Sequence, residues 1–283
     1  MPRKPLAVFY PCTISIFPNL LAESLPPILR KGQTPMDLIW EKVVEQKNFS
    51  FHSGNRDRIL KFRDLIFIEN ELQGGRITQQ KERVYMDDDG EHLHASIVSD
   101  HPPIWFLISK EKQILYIQAN CYSRIGIAIS SLCKALSSIF TNMLDSMYTV
   151  EVKRLPAKGR FWDIVKRSKG VNYVEFKFMV PNIAGRTSAE IREELNRLKI
   201  EENVTSIVER KESKLGCLRV VEDEVTKAKV DTIENTGGVW SINNNEGIFR
   251  STDNDAKVNV SHIGEVFSSQ IIHQLREELA GND

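Results

Sequence analysis

The chain has 283 residues, of which 41% are hydrophobic and 27% charged, with 38 Lys/Arg against 38 Asp/Glu. That length exceeds one small core and suits two domains. The neutral total excludes a wholly basic nucleic-acid coat protein and a polyacidic tail. It hides an asymmetry, because residues 1–180 carry 25 basic and 19 acidic side chains while residues 181–283 carry 13 and 19. Opposed halves can dock on each other, and a basic half can meet a polyanion while an acidic half stays clear of it. Patchy surface charge alone gives the same count.

Cys12, Cys121, Cys133 and Cys217 stand far apart and form no Cys-x-x-Cys pair. A zinc ribbon or thioredoxin-type site is therefore not expected, and the apolar neighbours predict reduced, buried thiols. The N-terminus is broken by Pro5 and Pro11 and has too short an apolar run for a signal peptide. The most apolar stretch, Ile125 to Met147, contains Lys134, Asn142 and Asp145, so no membrane span is expected. A cytoplasmic location follows.

In chain order, Leu6 to Phe17 alternates as a first strand, and Leu20 to Leu29 is apolar around Pro26–Pro27. Thr34-Pro35-Met36-Asp37 starts a helix: a capping hydroxyl, proline in the first turn and a nearby carboxylate. Met36, Ile39, Trp40 and Val43 form its stripe, and Trp40 belongs in a core. From Ile59 to Gln118 the pattern is β. A turn is expected at Gly74-Gly75, a hairpin tip at Asp87 to Gly90, and paired strands over Ile104–Ile108 and Gln113–Gln118. Short strands with regular turns predict an antiparallel sheet or a partly closed barrel. Ile125 to Leu144 steps by three and four as a long amphipathic helix. Its interleaved serines would also let a second helix approach closely, as in a dimer seam.

Beyond a boundary near Ser146–Val150 the pattern mixes. A capping box at Thr187–Glu190 opens one helix. Val204–Val208 and Cys217–Val221 read as strands, and Val225–Ile233 as a helix ending at Gly237-Gly238. Val239–Ile242, Gly247–Ser251 and Val258–Val260 read as a meander, and Ile263–Leu279 as a closing helix. The fold class expected is α+β. Residues 1–148 form an antiparallel β-rich N-terminal domain ending in the long helix, and residues 149–283 form an α+β domain with helices on a mainly antiparallel sheet.

Most chemistry lies between Glu151 and Lys177, where eight Lys/Arg meet three Asp/Glu. Two alternating strands flank a short basic helix. Lys153, Arg154, Lys158, Arg160, Lys166, Arg167 and Lys169 lie within seventeen residues, with Phe161 and Trp162 among them. Clustered cations suit phosphates, because each neutralised phosphate releases a counterion. Gly159 and Gly170 at the helix ends let backbone come close to a ligand, so loop 156–160 could seat a phosphate backbone. Trp162 could act as a base-stacking platform. The competing reading is a solvated helix face with Phe161, Trp162, Ile164 and Val165 in the core.

Two further patterns stand beside it. Glu151-Val-Lys153 and Glu175-Phe-Lys177 each place a carboxylate and a lysine on one strand face. With Asp145 or Asp163 as third ligand they could hold Mg²⁺, as in restriction-type nucleases. The same alternation marks any half-exposed strand. Asp87, Asp88, Asp89, Glu91, His92 and His94 crowd one hairpin, where a divalent cation or plain solvent would suit them. No Ser/His/Asp order, P-loop or dinucleotide fingerprint occurs. No cofactor, metal or catalytic centre is therefore assigned.

The first strand with its β-rich half, the segment HPPIWFLISKEKQILYIQAN (101–120), the long helix, VEVKRLP followed by FWDIV, and the strand ending FKFMVPNIAG together resemble uncharacterised bacterial proteins found near phage-defence genes. In layout and size the chain also resembles the A component of the lambda Rex exclusion system and, more distantly, the B component of Kiwa. The resemblance is one of layout over most of the chain and carries over no functional residue. It implies a DNA-associated, dimeric antiviral protein that works with a partner protein and has no enzymatic centre of its own. The sequence-level expectation is thus sequence-independent binding of double-stranded DNA. A metal-dependent nuclease and an oligomeric interaction scaffold are the alternatives.

Overall fold

The computed structural model describes residues 6–19, 28–53, 56–68, 72–119, 128–145, 147–179, 193, 197–198, 204–213, 216–261, 272–273 and 277. Most of the expected segment Leu20–Leu29, the Thr187 capping box and most of the closing helix lie outside them, as does Cys121. Every strand pairing among the described residues is antiparallel. The class is mixed α+β with mostly antiparallel sheets, as the sequence pattern predicts. No described helix is long and apolar enough to cross a membrane.

The first sheet is built from β1 (Leu6–Pro18), β2 (Asn48–Ser53), β3 (Arg56–Ile68), β4 (Leu72–Gln79), β7 (Pro103–Ser109), β8 (Ile114–Gln118), β9 (Tyr148–Arg154) and β14 (Val258–Ser261). Its order is β14-β1-β8-β7-β4-β3-β2, with β9 also on β1. Among the described residues it is an open antiparallel sheet, the first of the two forms expected. All of Ile104–Ile108 and Ile114–Gln118 is buried, because both sheet faces are covered. Phe106, Leu115 and Ile117 face one core, and Trp105, Leu107 and Tyr116 face another. That explains why these strands read as continuous apolar runs. Between β4 and β7, strands β5 (Lys81–Asp88) and β6 (Leu93–Asp100) form a separate two-stranded ribbon. Val84, Met86, Leu93 and Ile97 are exposed along it.

Helices α1 (Pro35–Gln46) and α2 (Ile129–Met143) cover the first of those faces. The start of α1 is as expected. Thr34 Oγ1 accepts from the Asp37 N–H at 3.2 Å, and the Asp37 carboxylate accepts from the Thr34 N–H at 3.1 Å. Trp40 is buried in the core. On α2 the Ser137 hydroxyl donates to the Cys133 carbonyl and accepts from the Val152 N–H, so this serine ties the helix to β9. Cys12 and Cys133 are free thiols, buried, with sulfurs 3.8 Å apart. Their hydrogen bond pushes the Cys12 thiol up, burial adding to it, and draws the Cys133 thiol down. Cys217 is exposed, contrary to expectation, since it lies in a loop before the helix that starts at Glu224.

Gly74-Gly75 is not a turn. Both glycines lie inside β4, where a Cβ on Gly74 would sit 2.7 Å from the Phe106 carbonyl. The doublet marks close approach of backbones between β3 and β7, a role that sequence shares with turns.

The second sheet has the order β11-β10-β12-β13, from β10 (Val171–Met179), β11 (Ser206–Glu212), β12 (Val239–Asn244) and β13 (Gly247–Arg250). Helices α3 (Arg160–Arg167) and α4 (Glu224–Thr236) lie on one face of it. Phe161, Ile164, Val174, Phe176, Val230, Ile233, Trp240 and Ile242 make its core. Asp223 caps α4 through the Thr226 N–H, and Gly237, with φ 77°, ends it as predicted. Cys217–Val221 forms no strand, although the Leu218 N–H donates to the Val171 carbonyl at the sheet edge. The expected meander also divides, because β14 leaves β13 and pairs with β1. The strands flanking the basic helix divide likewise, β9 to the first sheet and β10 to the second.

Candidate nucleic-acid interface

Where β9 leaves β1, the chain crosses between sheets. Leu155 donates its N–H to Pro11 and accepts from Ala256, and Pro156 bridges Asp255. Gly159 then takes φ 79°, a left-handed conformation that suits glycine, and α3 begins. Phe161 and Ile164 turn inward. The Phe161 ring lies 5.4 Å from that of Trp240 and 5.6 Å from that of Phe176.

This anchoring fixes where the helix cations point. Arg160 and Arg167 are seven residues apart, so they share one flank, about 10.5 Å apart along the axis. Arg167 stacks over the Phe249 ring of the edge strand β13 at 5.3 Å. Lys166 lies on the other flank, 3.2 Å from Glu222. Lys169 follows the helix and is exposed.

The β9 cations are engaged elsewhere. Lys153 pairs with Glu151 along its own strand, and Arg154 pairs with Asp255. The eight proposed contact residues therefore do not form one surface. Arg160, Arg167 and Lys169 make no ion pair among the described residues, and Lys158 is exposed in the crossing loop. Trp162 is half-buried, edge-on to Phe161 at 4.9 Å, and packs on the second core. That position matches the core reading of Trp162, not the stacking one.

The backbone of the crossing loop is already engaged. The Gly159 N–H donates to Glu234 Oε2 at 3.2 Å, and Trp240 Nε1 donates to Glu234 Oε1 at 3.3 Å. Glu234 is only 3% exposed. Burial raises its pKa, and these two hydrogen bonds hold the rise back. Sequence reading missed Glu234 because it falls on a helix whose acidic residues look uniformly solvated. Its i+6 tryptophan was the available signal. Beside it opens a cleft of about 220 Å³ between the sheets, lined among others by Lys158, Glu234, Asn235 and Lys257.

The other patterns are not assembled into sites. Glu151 and Glu175 stand on different sheets, with Arg210 at 3.9 Å from Glu175 and Lys42 at 3.3 Å from Asp145. On the β5–β6 ribbon His94 Nε2 lies 2.7 Å from Asp89 Oδ2. Backbone N–H groups of Glu91 and His92 hold the same Asp89 carboxyl below its ordinary pKa. Among the described residues no three His, Cys, Asp or Glu side chains are grouped to hold a metal ion. No protein-family model matches the chain, and no curated protein matches it.

Proposed function

We propose that this protein is a non-enzymatic nucleic-acid-binding component of a bacterial antiviral system. It contacts double-stranded DNA through phosphates without reading sequence, as a cytoplasmic homodimer, and acts with a partner protein. The supporting observation is the flank of α3: Arg160 and Arg167 at its two ends with Lys169 beyond, carrying no ion pair among the described residues, while Lys153, Arg154 and Lys166 are each matched to a carboxylate. Guanidinium groups without a carboxylate are free to meet phosphate oxygens in pairs. The reading narrows the contact set to Arg160, Arg167 and Lys169. It takes residues 1–148 and 149–283 as two domains. The separate core beneath α3 and α4 supports that division, with β9 and β14 bridging it.

The test is duplex binding by fluorescence anisotropy between 50 and 200 mM salt. Three phosphate contacts per protomer give a slope of log K on log salt near about −2.7. Joint Arg160→Glu, Arg167→Glu and Lys169→Glu abolishes binding, and Lys153→Ala leaves it unchanged. Binding that ignores both salt and the triple reversal overturns the proposal.

A further inference from the structure

The cleft between the sheets has chemistry of its own. Pro11, Ile114, Leu155 and Pro156 supply apolar walls on which a flat ring can lie. Glu234 is buried while Lys158 and Lys257 are exposed, so the carboxyl marks the inner end and the lysines the mouth. Each Glu234 oxygen accepts one protein N–H and retains a second lone pair. Asn235 Oδ1 is buried and accepts no hydrogen bond among the described residues. An acceptor left unmade keeps its desolvation penalty, which a ligand donor would recover. The inner end thus asks for N–H donors, the middle for a planar apolar body and the mouth for an anion. At about 220 Å³ the cleft encloses a single planar ring system and leaves a linked anionic group outside, at the lysine mouth.

We propose that this cleft binds a nucleoside 5′-phosphate whose base carries an exocyclic amine. The phosphate sits between Lys158 and Lys257, the base between Pro11 and Pro156, and the amine donates to Glu234 and Asn235. A free mononucleotide and the 5′ end of a strand offer the same group. The site does not depend on the α3 contact surface, since it uses neither Arg160, Arg167 nor Lys169.

Isothermal titration of the full chain with AMP, CMP, UMP and a 5′-phosphorylated single-stranded oligonucleotide tests it. AMP and CMP bind, and UMP, which lacks the amine, binds about tenfold more weakly, the worth of one hydrogen bond to a charged group. Lys257→Ala weakens AMP about tenfold and Asn235→Leu does the same. Both side chains lie at the cleft without filling a core, so these variants report even if Glu234→Gln fails to fold. Oligonucleotide binding as tight as AMP assigns the site to strand ends, and binding of AMP alone assigns it to a free metabolite. Absence of AMP and CMP binding, equal affinity for CMP and UMP, or AMP affinity unchanged in both variants overturns the proposal.

Discussion

Gly159 donates its backbone N–H to the Glu234 carboxyl at 3.2 Å, which anchors the start of α3 to the last turn of α4. Removing that carboxyl strands one buried donor, Trp240 Nε1, and leaves the Gly159 N–H, on an exposed residue, to water. Glu234→Ala should cost about 1–3 kcal/mol in urea unfolding, the penalty of one orphaned buried group. Glu234→Gln, which keeps one acceptor oxygen, should cost less.

The same residue sets a pH dependence. Burial first of all raises the Glu234 pKa from the ordinary 4.5. The folded state therefore holds this proton more tightly than the unfolded state. Its contribution is fully present below 4.5 and is lost as pH rises through the elevated folded value. Unfolding free energy measured across pH 4 to 8 should show this decline in the wild type, and Glu234→Gln should flatten it.

Asp37 works in the opposite sense. The Lys110 ammonium at 2.8 Å, together with the Thr34 cap, lowers its pKa from 3.8 to about 2. Its contribution is present above 3.8 and drains away as pH falls through about 2. Asp37→Asn should remove that acid limb and cost about 1 kcal/mol at neutral pH, the scale of a lost helix cap. Thermal melts at pH 7 and pH 3 check both statements.

Phe161 and Trp162 are neighbours with different burdens. Phe161 is wholly enclosed, so Phe161→Ala should destabilise by about 3–5 kcal/mol. Trp162 only leans on the same core, so Trp162→Ala should cost less. If it serves packing alone, Trp162→Phe should leave DNA affinity unaltered in the anisotropy assay. A large affinity loss without a change in melting temperature would restore the stacking role.

Gly74 is held between strands. A methyl group there would overlap the Phe106 carbonyl at 2.7 Å. Gly74→Ala should therefore destabilise by about 1–3 kcal/mol, as overpacking does. Gly90, with open space around it and φ 93°, should show only the smaller cost of a left-handed conformation.

What the sequence disclosed followed local rules. The Thr34 cap, the Gly237 stop, the α2 stripe and the Asp87–Gly90 tip each depend on a few adjacent residues, and each was readable. What it concealed depended on distant partners. Gly74-Gly75 has the composition of a turn, and only its neighbours on β3 and β7 make it a strand. Lys153 and Arg160 look alike in a charge run, yet Glu151 claims one and no described carboxylate claims the other. Glu234 became visible only when folding brought Gly159 beside it from 75 positions away.

The pairing of β1 has a consequence for how the chain is made. One edge of β1 waits for β9 and then for β14, where Leu6 meets Ser261. During synthesis the N-terminal strand thus emerges long before its final partner. Its backbone amides stay open to any extended segment nearby until Ser261 has left the ribosome. Contacts of such long sequence separation slow folding. Among the described strands β1 is made first and completed last, which exposes its open edge to misassociation in the nascent chain.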